Sequence, residues 1–197
     1  MEPVEGPPLG NVLLQVVDRL AEAFESKAVR YAIVGGLAAL VRGRPRFTQD
    51  VDVLLEVPQL ILPGLLEDLQ KVGFEFDMAS VIRQYVQEHF TVMRYGPIRV
   101  DWLKPVLPLY MRTLADASLQ PWTTGRLVRI ATAEGLILTK MAAFRPQDQA
   151  DIEALVAANR DSLDVDLIRR EWSNLADGED ARTRWLESAF ARLLPSG

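Results

Sequence analysis

Asp50 and Asp52 stand two residues apart in Phe47-Thr48-Gln49-Asp50-Val51-Asp52-Val53-Leu54-Leu55, an otherwise apolar and β-branched run. A strand alternates its faces, so both carboxylates leave the same side with Cα atoms roughly 6.5 Å apart, while Val51 and Val53 point into a core. Like charges on one sheet face repel, and Asp is depleted in strands. A divalent cation between them removes the repulsion, and Mg²⁺ sites use one or two carboxylates with water and substrate phosphates. The plainer alternative is an exposed edge strand whose polar face holds two Asp.

Upstream, Tyr31-Ala32-Ile33-Val34 reads as a short buried strand, Gly35-Gly36 follows at once, and Leu37 to Val41 opens a helix. Such a Gly pair lets backbone N–H groups approach a phosphate without Cβ obstruction, although many Gly pairs after strands are merely tight turns. A third acid, Asp101, sits in Pro97-Ile98-Arg99-Val100-Asp101-Trp102-Leu103, another short strand. Lys140 lies among Leu136, Ile137, Leu138, Met141 and Phe144, where a snorkelling side chain explains it as well as a ligand does. Asp148 and Asp151 are one helical turn apart, a spacing common on solvated faces. Arg42, Arg44 and Arg46 form either a solvated loop or a cradle for a triphosphate or one acceptor strand.

The order strand, Gly-Gly, helix, then Asp-x-Asp about fifteen residues later resembles the active-site signature of the DNA polymerase beta-like nucleotidyltransferases. Arg42 to Thr48 stands where small members carry a basic, Thr-containing lead-in, and residues 132–152 look like the Lys helix and following Asp-x-x-Asp helix of the AbiEii-type branch. The likeness covers roughly residues 30 to 160. It implies an α/β (α+β) nucleotidyltransferase fold, a short mixed sheet flanked by helices. The core would span 1–130 and a helical C-terminal region 131–197 would pack on it. It further implies transfer of a nucleoside monophosphate from a triphosphate such as ATP or GTP to an acceptor hydroxyl. Asp50, Asp52 and Asp101 would be the catalytic metal ligands for Mg²⁺, or Mn²⁺ in its place, and Gly35, Gly36, Arg46, Thr48, Lys140 and Asp148 would bind the nucleotide. AbiEii-type proteins serve as toxins of toxin–antitoxin pairs, which makes tRNA or protein the acceptor and a cognate antitoxin a partner. One position departs from the pattern. Many members have Ser or Thr after Gly-Gly, and here Leu37 stands instead, which keeps open a non-catalytic module on the same fold, a nucleotide sensor or an antitoxin.

Bulk properties set bounds. The net charge is −5, and Gln147 to Glu187 carries eleven acids against five bases, so the chain lacks the basic footprint of a dedicated nucleic-acid binder. The absence of Cys excludes disulfides, thiolate catalysis and zinc-thiolate sites. Met1 to Pro8 is acidic and Pro-rich rather than a signal peptide, and no apolar run approaches the roughly 20 residues of a membrane span, so no membrane partner and a cytoplasmic location are expected.

Periodicity predicts a first helix N-capped by Asn11, a second from Leu60 to Val72 ended by Gly73, and a strand at Phe74 to Phe76. Two hairpins follow, His89 to Tyr95 with Ile98 to Asp101, and Leu119 to Trp122 with Leu127 to Ile130. From Thr132 the pattern is helical, with a break at Asn174 to Asp180. His89 reads as a half-buried strand residue and the four Trp as packing.

Overall fold

A computed structural model describes residues 9–44, 48–123 and 125–194. Helix α1 (Leu9–Ser26) lines up Val16, Val17, Leu20 and Phe24 on one fully buried stripe; Asn11 lies inside it rather than at its cap. Strand β1 (Arg30–Val34) runs directly into α2 (Gly35–Val41), a joint that Gly35 makes at φ +65°. Then come β2 (Asp50–Glu56) and α3 (Leu62–Lys71), with Gly73 reversing the chain at φ +103°.

Two helices were not anticipated from periodicity. In α4 (Met78–Gln87) the Asp77 carboxylate accepts the Ser80 N–H at 2.8 Å, a side-chain N-cap, and α5 (Pro108–Asp116) begins on a proline whose missing N–H costs nothing there. Phe74 to Phe76 contributes a single bridge, Glu75 to Arg94, instead of a strand. His89 is a turn residue at φ +61° immediately before β3 (Phe90–Tyr95), which pairs with β4 (Ile98–Leu103) as expected. The second hairpin is β5 (Ser118–Pro121) with β6 (Leu127–Ile130). The helical remainder divides into α6 (Ala133–Ala143), α7 (Pro146–Asn159), α8 (Val165–Ser173) and α9 (Ala181–Leu193), and the break at 174–180 is where the sequence puts it.

The strands form one mixed sheet in the order β3-β4-β2-β1-β6-β5. β1 is antiparallel to β2 and parallel to β6, while β2 and β4 run parallel. Val51, Val53, Val100 and Trp102 are fully buried on one face, where the Trp102 ring meets Phe24 of α1 and Tyr85 of α4. On the other face α5 packs on β1 and β2, and α6 packs on α5 and α2. On this second face a cleft is lined by Asp50, Asp52 and Leu54 of β2 and by Arg99, Asp101 and Leu103 of β4.

Arg42, just after α2, reaches across to neighbouring elements. Its Nε donates to the Ala131 carbonyl at 2.8 Å and its Nη2 to Ser118 Oγ at 2.8 Å, while its own carbonyl accepts from the Asn159 amide at 2.9 Å. Arg42, whose sequence context allowed either a solvated loop or a phosphate cradle, is a clasp tying α2 to β6 and α7. No helix is long and apolar enough to cross a membrane among the described residues.

Candidate active site

The parallel register of β2 and β4 sets Asp52 beside Asp101 and Asp50 beside Arg99. Alternation puts all four side chains on one face. Val34, the last residue of β1, lies opposite Asp52 on its other flank, so the Gly35 turn is pressed against the carboxylate. A Cβ on Gly35 would stand 1.9 Å from Asp52 Oδ2. The bare Cα is therefore required by Asp52 itself.

Gly35, Gly36, Asp50, Asp52, Asp101, Lys140 and Asp148 all line one cleft of about 520 Å³. Arg99, Tyr110, Thr139 and Arg145 line it too, and none of these had been singled out from the sequence. Arg99 carried a readable signal, because it precedes Asp101 by the same two-residue step that links Asp50 to Asp52. Thr48 is not among these lining residues; its hydroxyl donates to the Asp50 carbonyl at 3.3 Å and accepts the Asp50 N–H at 3.4 Å. Arg46 lies outside the described residues. Leu37 is 1% exposed, so its side chain belongs to the core and supplies no hydroxyl to the cleft.

Electrostatics divide the cleft into two walls. On the sheet side, burial, then Asp101 and Asp50, push the Asp52 carboxyl above the ordinary carboxylate range, against the pull of Lys140 and a hydrogen bond from the Gly36 N–H. Asp101 accepts from Arg99 Nε at 2.6 Å. On the helix side, Lys140 Nζ donates to Asp151 Oδ2 at 2.7 Å and lies 3.6 Å from Asp148. Asp148 also accepts from Arg145, through the backbone N–H at 3.1 Å and Nε at 2.7 Å. Burial alone would raise the Asp148 carboxyl, but Arg145 and Lys140 outweigh it and hold it low. Asp151 is fully buried and also takes Arg44 Nε at 3.1 Å, so the second Arg of the lead-in serves the interior.

Three carboxylates with hard oxygen donors, one of them destabilised by its neighbours, suit a divalent cation. Among the described residues no three acids or histidines already form a closed shell, and Arg99 occupies Asp101. The donor chemistry suits such an ion, with Asp50, Asp52 and Asp101 all lining the one cleft.

Lys140 now carries an expectation of its own. Lys140→Met removes the cation nearest a fully buried carboxylate, leaving Asp151 to Arg44 and Gln147 Nε2. Breaking a buried pair from one side costs about 3–5 kcal/mol; with Arg44 and Gln147 among the donors that remain, a loss of about 2–3 kcal/mol is expected in urea unfolding. Stability equal to wild type would mean that the pair does not anchor α6 to α7.

A mixed sheet that seats an Asp-x-Asp pair beside a third Asp, with a Gly turn against the pair and a Lys helix across the cleft, defines the nucleotidyltransferase class. Residues 13–184 match the family described as nucleotidyl transferase of unknown function (DUF2204), and the chain belongs to that family. No curated protein matches it at a significant level. Among solved structures it is similar to an antigenic nucleotidyltransferase-like protein from Paracoccidioides brasiliensis, at 18% identity and TM-score 0.52, over 94% of this chain and 95% of that one. It is also similar to ANT(2")-Ia in complex with adenylyl-2"-tobramycin, at 15% identity and TM-score 0.52, over 89% of this chain and 98% of that one. The lincomycin-bound lincosamide antibiotic adenylyltransferase LnuA matches at 14% identity and TM-score 0.52, over 75% and 96% of the two chains. At such identities these likenesses establish the shared fold.

Proposed function

We propose that the chain transfers a nucleoside monophosphate from a triphosphate to an acceptor hydroxyl in a Mg²⁺-dependent reaction, with Mn²⁺ able to substitute. The observation that carries this reading is the pairing of Asp52 with Asp101 across parallel strands, with Asp50 on the same face and two cationic side chains on the opposite wall. Asp50, Asp52 and Asp101 would hold the metal. When bound, it neutralises phosphate charge and makes the acceptor hydroxyl easier to deprotonate. Arg145, whose side chain is 74% exposed at the mouth, turns from Asp148 to the triphosphate. Lys140 offsets the charges of Asp148 and Asp151 on the inner wall, and the bare Gly35 and Gly36 turn lets the phosphates approach the backbone. Asp101 takes the acceptor proton as the oxygen attacks the α-phosphorus, and the bond to the departing pyrophosphate breaks.

The acceptor is a hydroxyl of RNA, of a protein or of a small polar molecule. The acidic balance of the chain weighs against RNA, and the small-molecule ligands of the ANT(2")-Ia and LnuA structures place compounds of that size in the test. The toxin role with a cognate antitoxin rests on the AbiEii-type likeness of residues 132–152. A non-catalytic nucleotide sensor draws support from Leu37, and the retention of three acids in one cleft opposes it. Incubation with α-labelled triphosphates, Mg²⁺ and separately total RNA, protein and small-molecule extract decides among them; no label transfer to any fraction would favour the sensor.

Asp101→Asn separates binding from chemistry. Asp50 and Asp52 still anchor a metal-bound triphosphate, so most of the ligand stabilisation should persist, about 2.7 kcal/mol at a hundredfold excess over Kd. Transfer should fall by about 10²-fold or more, as when a general base is lost. Near-normal transfer would remove Asp101 from the mechanism.

A further inference from the structure

Arg99 completes a two-by-two block of charge. The register sets it against Asp50 as Asp52 is set against Asp101, and its Nε donates to Asp101 Oδ1 at 2.6 Å. The guanidinium side chain is 44% exposed and Asp101 only 16%, so the cation lies over the acid from the solvent side. Asp50 and Asp52 also act on it electrostatically. A guanidinium and a divalent ion seek the same oxygen lone pairs, and a carboxylate bonded to Arg offers a metal less. Among the described residues the acids form no three-donor shell, and Arg99 is bonded to one of them.

We propose that Arg99 is a tethered counter-ion of the carboxylate site, which holds Asp101 in the nucleotide-free protein and releases it when a metal arrives together with a triphosphate. The inference rests on the nucleotidyltransferase reading above. The phosphates give the released guanidinium a new anionic partner, whereas a bare metal ion gives it none. Metal and triphosphate are thereby made to bind together, and by linkage each strengthens the other equally. Arg99 is a positioning residue here, acting through Asp101.

The test measures Mn²⁺ binding to the full chain without nucleotide, by electron paramagnetic resonance titration, and repeats it with a non-hydrolysable triphosphate. Arg99→Met keeps an apolar stem and introduces no oxygen that could ligate the ion. Removing a fixed cation from beside the incoming one should tighten Mn²⁺ binding without nucleotide by about tenfold or more, and should shrink the gain that the triphosphate brings. Arg99→Lys, which keeps the charge, should stay near wild type; a merely structural Arg99 would leave the metal affinity of all three alike. Unchanged or weaker Mn²⁺ binding by Arg99→Met, with the Mn²⁺-triphosphate complex still forming, overturns the counter-ion role and leaves the site reading intact. If wild type and Arg99→Met both fail to bind Mn²⁺ even with triphosphate, the site reading falls and the counter-ion role with it.

Discussion

Asp50→Asn combined with Asp52→Asn is expected to abolish transfer, by about 10³-fold or more, since metal stabilisation of transition-state charge is worth several kcal/mol and each 1.36 kcal/mol is tenfold. The melting shift given by Mg²⁺ and triphosphate should vanish with it. The metal-free protein should fold, and at neutral pH should be at least as stable as wild type. In the folded chain the Asp52 carboxyl is raised above its ordinary range, by burial first and then by Asp101 and Asp50. Between the ordinary pKa and the raised one, the folded state binds more protons than the unfolded state, so wild-type stability falls as pH climbs through that window. Asn at both positions carries no charge to repel, so this fall should be absent. A double mutant that retains the wild-type melting shift with Mg²⁺ and triphosphate would place the site elsewhere.

Gly35→Ala should be nearly as damaging, through geometry alone. The added methyl would lie 1.9 Å from Asp52 Oδ2 and 2.5 Å from its Cγ, and the backbone sits at φ +65°, where a side chain is strained. The left-handed conformation costs about 1–2 kcal/mol and overpacking about 1–3 kcal/mol more, so a loss of about 2–5 kcal/mol is expected. Transfer should drop about 10²-fold or more in whatever fraction stays folded, because Asp52 must move and a displacement near 1 Å has that effect. Gly96→Ala is the control. Gly96 turns at φ +52° with nothing within 4 Å of the added Cβ, so it incurs the backbone strain alone. Equal losses in the two variants would show that contact with Asp52 is not what demands glycine.

The carboxylates were legible because their signal is local. Alternation with a period of two marks Asp50, Asp52 and Asp101 as outward residues on buried strands, and the structure puts them there. The same rule would have marked Arg99. The caps of α4 and α5 were also readable, but Val81 and Tyr85 are the only residues of α4 that are buried, too few for a strong periodic stripe. What no local pattern conveys is partnership. Arg42 looks like a loop cation until β6 arrives from almost ninety positions away to supply the carbonyls it binds. Lys140 likewise sits in an apolar helix for a reason found on the next helix, the buried Asp151. The strand order that makes Asp52 and Asp101 neighbours has the same character, since it depends on β2 pairing past the intervening α3, α4 and β3.

That pairing also fixes when the cleft can exist. Adjacent parallel strands cannot be joined by a tight turn, so β2 must wait for the whole stretch from Val57 to Pro97 to be synthesised and folded back before β4 can dock beside it. Contacts between residues so far apart in sequence form late, after their closure entropy has been met. The Lys140 wall comes later still, behind β6. A chain emerging from the ribosome therefore holds Asp50 and Asp52 as an isolated acidic pair until β4, and after it α6, have followed.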